Sequence, residues 1–112
     1  MTIDELKDSV IESLTIELQN DPDFSEDILA EKVDNAVREV QLARRYAKAG
    51  YSTEKIETDI VNYLPNIRNI SLYDYNQSGM DFQTNHQENG TNRSYMSRHR
   101  LFNGIIPLAA VL

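Results

Sequence analysis

At 112 residues and a formal net charge of −7, the chain has room for one domain with a marginal core of its own. It also lacks the clustered Lys and Arg excess that coating nucleic acid requires. There is no cysteine, which excludes a disulfide framework and a thiolate metal site and points to a reducing compartment.

The N-terminus, Met1-Thr2-Ile3-Asp4-Glu5, has neither a basic n-region nor an apolar h-region and does not read as a signal peptide. Thr2-Ile3-Asp4-Glu5 is instead a capping box, in which the Thr2 hydroxyl and the Glu5 carboxylate accept from backbone N–H groups of the first turn. Ile3, Leu6, Val10, Leu14 and Leu18 then recur at three and four residues, with Ile11 widening the stripe, so a first helix is expected. Asn20-Asp21-Pro22 ends it, because the residue before proline is pushed out of the α region.

A second helix is expected over 25–49. Ser25 is its N-cap, Phe24 and Leu29 form a staple-like pair, and Glu26 and Asp27 suit the positive end of the helix dipole. Ile28, Leu29, Val33, Ala36, Val37, Val40, Ala43 and Ala47 keep helical spacing. Gly50 supplies a residue that accepts positive φ after the last turn, and Arg44, Arg45 and Lys48 read as a complement to the dipole.

Ser52 opens a third helix, with Tyr51 and Ile56 as a second staple-like pair. Ile56, Ile60, Tyr63, Leu64, Ile67 and Ile70 stay in phase across Pro65, which predicts a kinked helix fading between Tyr75 and Gly79. The fold class read from this pattern is mainly α: a small three-helix bundle over residues 1–79, its third helix kinked at Pro65, and a long extended C-terminal arm over residues 80–112.

The arm differs in composition. It holds Asp81 and Glu88 against Arg93, Arg98 and Arg100, a balance of +1, which leaves −8 for residues 1–79. Over residues 80–103, Met80, Phe82, Tyr95, Met96, Leu101 and Phe102 offer too little apolar area to offset the ordering of that backbone. The arm is therefore expected to lie on another surface, to be mobile, or both in turn. Asn89-Gly90 is a turn signal. Asn103-Gly104 is either a second turn or the C-terminal stop of a helical turn spanning about 96–102. The apolar end, Gly104 to Leu112, is shorter than the roughly 20 residues of a membrane span, and exposed strand of that kind calls for a covering partner.

Catalytic chemistry finds little support. His86, Glu88 and His99 lack the spacing of a metal site. Asp74, between Tyr73 and Tyr75, has no second carboxylate or nucleophile spaced to match it and reads as structural. Arg93, Arg98, His99 and Arg100 form the one basic patch near a tyrosine; arginine forks pairing with a partner's carboxylates suit an acidic protein better than single-stranded nucleic acid does. No catalytic residue, cofactor site or metal site is expected.

The run Tyr73-Asp74-Tyr75-Asn76, then His86-Gln87-Glu88-Asn89-Gly90, Arg93-Ser94-Tyr95, Ser97-Arg98 and Leu101-Phe102-Asn103-Gly104-Ile105-Ile106-Pro107 resembles the C-terminal half of small head–tail connector (adaptor, head-completion) proteins of tailed bacteriophages. The likeness covers about 40 residues, and the helical remainder fits in outline, departing at Pro65. Members of that family are small, mainly helical proteins that assemble as a ring, generally twelvefold, beneath the portal, extend the DNA channel and support tail attachment. The resemblance implies a non-enzymatic virion protein at the head–tail interface, made in the host bacterial cytoplasm. Its implied partners are other copies of itself, the portal protein and the next neck or tail-completion protein. DNA would pass through the lumen without specific binding, and no membrane would be involved. The residues expected to meet partners are Tyr73, Tyr75, Arg93, Tyr95, Arg98, Arg100, Leu101, Phe102, Ile105, Ile106, Leu108, Val111 and Leu112. The alternative reading is a small non-enzymatic adaptor or regulatory protein whose arm folds on a soluble partner.

Overall fold

The computed structural model describes residues 1–80 and 98–108. The described chain is mainly helical, as the sequence pattern requires. Helix α1 runs Ile3–Leu18 behind the expected capping box: the Glu5 N–H donates to the Thr2 hydroxyl and the Thr2 N–H to the Glu5 carboxylate. These contacts hold the Glu5 carboxyl below its ordinary range, the backbone bond from Thr2 being the larger cause. Leu6, Val10 and Leu14 are buried, with Ile3, Ile11 and Leu18 half-buried beside them.

After a tight turn in which the Asp23 N–H donates to the Asp21 carboxylate, α2 runs Glu26–Arg44 behind its Ser25 cap. The short turn returns α2 antiparallel to α1, and Lys7 on α1 reaches Asp34 on α2 at 3.3 Å. Leu29, Val33, Ala36, Val37 and Val40 face the core.

The second helix is not continuous to residue 49. Arg45 takes a left-handed conformation (φ 59, ψ 44), and a four-residue helix α3, Tyr46–Ala49, follows before Gly50 (φ 71) caps it. The break resets the phase: Tyr46 is buried and Ala47, expected on the apolar stripe, is exposed.

The expected third helix is likewise divided. Helix α4, Thr53–Ile60, is followed by a 3-10 turn at Val61–Tyr63 and by α5, Leu64–Met80. Pro65 explains the position of the break. Its ring crowds the carbonyl four residues back, at Val61, so α geometry cannot pass through 61–64. The chain tightens there and restarts with the proline in the first turn of α5, where a missing N–H costs nothing. The apolar stripe survives because the offset is small: Ile60, Ile67 and Ile70 all stay buried.

The three-helix body is thus α1, α2 and α5, with α2 packed most extensively on α5 and α1 touching both. Tyr75 closes one end of it. Its ring meets Phe24 with centroids 6.0 Å apart, and its hydroxyl accepts the Ser25 N–H at 2.9 Å.

The left-handed residues at the two ends of α3, Arg45 and Gly50, generate a prediction. A Cβ on Gly50 would meet nothing within 4 Å, so Gly50→Ala is expected to cost only the backbone term, about 1–2 kcal/mol. Arg45 already bears that term, and Arg45→Gly is expected to leave stability unchanged or raise it by up to about 1 kcal/mol, the gain being reduced by glycine's entropy. Urea unfolding of both variants checks this. A Gly50→Ala variant as stable as the parent would overturn it.

Candidate docking surface

The C-terminal stretch 98–108 lies across the body of its own chain and is held there by three polar anchors. The first is Arg44. Its four-three-four spacing with Val33, Val37 and Val40 carries it onto the buried face of α2, and it is only 8% exposed. Its guanidinium grips Asp59 of α4 with two bonds, Nε to Oδ2 at 2.9 Å and Nη2 to Oδ1 at 3.0 Å. The Tyr46 hydroxyl donates to the same Oδ2 at 2.7 Å, and the Tyr63 ring lies 5.1 Å from the guanidinium carbon. The remaining nitrogen, Nη1, donates to the Ile106 carbonyl at 2.5 Å, and the Leu108 N–H donates to the Arg44 carbonyl at 2.9 Å. One residue therefore joins α2, α4, the 3-10 turn and the chain's C-terminal end.

Burial works against the Arg44 charge, but the hydrogen bond and charge of Asp59 outweigh it, and the net shift holds the proton more tightly than usual. Burial pushes the Tyr46 phenol up from its ordinary value, and its donation to Asp59 pushes it further.

The second anchor is Asn66, whose amide donates to the carbonyls of Leu101 at 2.9 Å and Asn103 at 3.2 Å. Arg98 is the third: Nε and Nη2 take the two oxygens of Asp74 at 2.9 Å each, and Nη2 also reaches Glu39 at 2.6 Å. The bonds to Asp74 are the main reason its proton is held more tightly than usual. Between the anchors, Leu101, Phe102, Ile105 and Leu108 pack against the core, with the Phe102 ring 5.5 Å from the Arg98 guanidinium carbon. Residues 98–100 are helical and Gly104 takes φ 87, so Asn103-Gly104 acts as the stop of a helical turn.

This placement revises several expected contacts. Tyr75 is 8% exposed and belongs to the core. Arg98 is engaged by Asp74 and Glu39, while Leu101, Phe102, Ile105 and Leu108 are half-buried on their own body. The arm's apolar content falls short only when weighed against its own ordering cost alone. The exposed side of the bundle supplies the missing area, and four body residues satisfy its polar groups. Tyr73 is half-buried on α5; Arg100 and Ile106 face solvent, Ile106 being 68% exposed. Arg93, Tyr95, Val111 and Leu112 lie outside the described residues, as do the turn signal at Asn89-Gly90 and the pair His86 and Glu88.

Sequence reasoning missed Arg44, Asp59 and Asn66. One signal was present, since Arg44 occupies an apolar phase position, where a charge requires a partner. Nothing in sequence spacing identified that partner. Among the described residues no group of three His, Asp or Glu side chains is arranged to hold a metal, and no helix is long and apolar enough to cross a membrane. Comparison of the chain with protein-family models, curated proteins and solved structures finds no match.

Burial ranks the two arginine anchors. Arg44→Ala leaves the Asp59 charge with the Tyr46 hydroxyl alone and the Ile106 carbonyl without its donor, and is expected to cost about 3–5 kcal/mol. Arg98→Ala removes a more exposed pair and is expected to cost about 1 kcal/mol. Denaturant midpoints decide it, and equal losses would contradict the ranking.

The raised Tyr46 pKa bears on alkaline stability. The unfolded chain releases that proton near pH 10, the folded chain only above it, so the contribution is complete below pH 10 and falls as pH rises further. Tyr46→Phe is expected to be less stable at neutral pH, through the lost bond to Asp59, yet to lose stability less steeply above pH 10. Melting temperatures from about pH 8 to pH 11 test the slope; parallel curves would count against it.

Proposed function

We propose that this chain is a structural head–tail connector of a tailed bacteriophage, assembling as a ring, generally twelvefold, below the portal. It extends the DNA channel, supports attachment of the next neck or tail-completion protein, and performs no catalysis. The observation that carries the reading is the division of the chain: a helical body with a balance of −8 bears a C-terminal run, likened above to connector proteins, that lies along the body as far as Leu108, whose N–H donates to the Arg44 carbonyl. An acidic wall suits a DNA channel, since like charge keeps the duplex from adhering as it passes.

The docking element is narrower than the whole arm. Residues 98–105 and Leu108 serve the body, whereas Ile106 is exposed at the edge of the bundle; we assign it, with the apolar residues Val111 and Leu112 of the sequence, to portal or neighbouring subunits. An apolar run of this kind can add as a strand to a sheet edge.

The test uses portal-bearing particles without connector, to which purified protein is added and the bound mass measured. The full chain is expected to add as a ring of about a dozen copies, a number taken from the resemblance, with avidity reinforcing each contact. Deleting residues 109–112, or Ile106→Asp, is expected to reduce bound protein at least about tenfold while leaving the helical circular-dichroism signal intact. Failure of the full chain to bind particles, with a stoichiometric complex formed on a soluble partner instead, would replace this reading by that of an adaptor.

A further inference from the structure

We infer that the body carries a head-to-tail contact between copies of this chain, in which Leu42 of one copy enters the groove between α1 and α5 of the next. This deepens the ring reading above by naming the two faces that meet, and it rests on that reading for its biological setting.

Leu42 stands out of α2 with 71% of its surface exposed; Arg38, one turn before it on the same face, is exposed too, as is Arg45 at the left-handed residue that ends the helix. The result is an apolar knob between two positive charges on an acidic protein. The matching surface lies on α1. Ile16 is 63% exposed at the edge of a groove of about 610 Å³, and Glu12 lines the same groove one turn away. Asp8, a further turn along, is also exposed. The groove's own cation, Arg68, is already engaged, donating to the Ser13 hydroxyl at 2.9 Å and pairing with Glu17 at 3.4 Å. A groove with one apolar side chain, Ile16, among Ser9, Ser13 and the acidic Glu12 thus faces an apolar knob bordered by positive charge. With Leu42 on Ile16, Glu12 and Arg38 each lie four residues, about 6 Å, before them along their helices, so this pair of opposite charges comes level when the two helices run in the same direction.

One chain cannot satisfy both stripes. The Lys7–Asp34 pair sets the antiparallel register of α1 against α2. From that level Ile16 lies nine residues toward one end and Leu42 eight toward the other, about 25 Å apart along the hairpin. Neither stripe complements itself, because one is acidic and the other basic. A contact between two different patches repeats from copy to copy, and it closes into a ring when the rotation permits. Charge at the rim sets register and excludes the reversed pairing, while the buried Leu42 supplies affinity.

The native chain has no cysteine, so an introduced pair reports this contact alone. Ile16→Cys and Leu42→Cys are made singly and together in the full chain and oxidised at low ionic strength. The mixed single variants are expected to give a heterodimer, each alone no dimer, and the double variant a ladder of higher oligomers. A second arm reverses charge: Arg38→Glu with Arg45→Glu, and separately Asp8→Lys with Glu12→Lys, are each expected to weaken self-association at least about tenfold. Mixing the two restores it, because every contact in the alternating assembly is again between opposite charges. Dimers from Ile16→Cys alone, or charge-reversed chains that associate like the parent, would overturn the inference. Rings of the double variant that form on particles without a disulfide between positions 16 and 42 would reject this contact and leave the connector reading standing. The same disulfide formed by a chain that does not bind particles would do the reverse.

Discussion

The ion pair between Arg44 and Asp59 is the constraint on which the arrangement of the chain depends. A guanidinium 8% exposed must have its donors satisfied, and here the three nitrogens are matched by a carboxylate on α4 and a backbone carbonyl near the C-terminus. Such a pair contributes little net stability relative to a well-packed apolar group of the same size, since desolvation offsets most of its attraction. Its contribution is to select one arrangement. With Arg44 in place, α4 has one register against α2, and the stretch through Ile106 and Leu108 has one edge to follow.

That constraint accounts for the two helix breaks. A continuous helix through residue 45 would carry Tyr46 on around the axis by a further 100° from Arg45. The left-handed turn at Arg45 instead places the Tyr46 hydroxyl on the carboxylate that Arg44 already holds. The ring stacks on Tyr51, 5.7 Å away, tying α3 to the start of the following helix. Pro65 then lets α4 and α5 differ in direction, so Asp59 reaches Arg44 while Ile67 and Ile70 remain in the core. The strain at Arg45 is offset by buried contacts on both sides of it.

The C-terminal stretch shows how a segment with a thin apolar composition becomes ordered. Its helical turn and its apolar residues are each too slight to fold alone. Laid over α2 and α5, they share the area of the body's existing core, and Asn66 and Arg98 remove the penalty on polar groups that the packing would otherwise leave unpaired.

The elements with a short-range cause could be read directly. The Thr2–Glu5 capping box, the Ser25 and Ser52 caps, the α1 stripe and the stop at Gly50 each involve residues within a turn or two of one another, and all are present as expected. The division of the third helix was legible as a kink, because proline acts on the carbonyl four residues before it. The break at Arg45 was not, because no local preference favours a left-handed arginine; only the buried partners of its neighbours compensate for it. Arg44 read as a complement to a helix dipole because helical phase shows that a residue faces inward but not what it meets there. The 15 residues between Arg44 and Asp59, the 24 between Asp74 and Arg98, and the 35 between Asn66 and Leu101 carry no periodic signal. Hydrogen-bond partners at that separation are chosen by the packing of the bundle, which the tertiary structure alone decides.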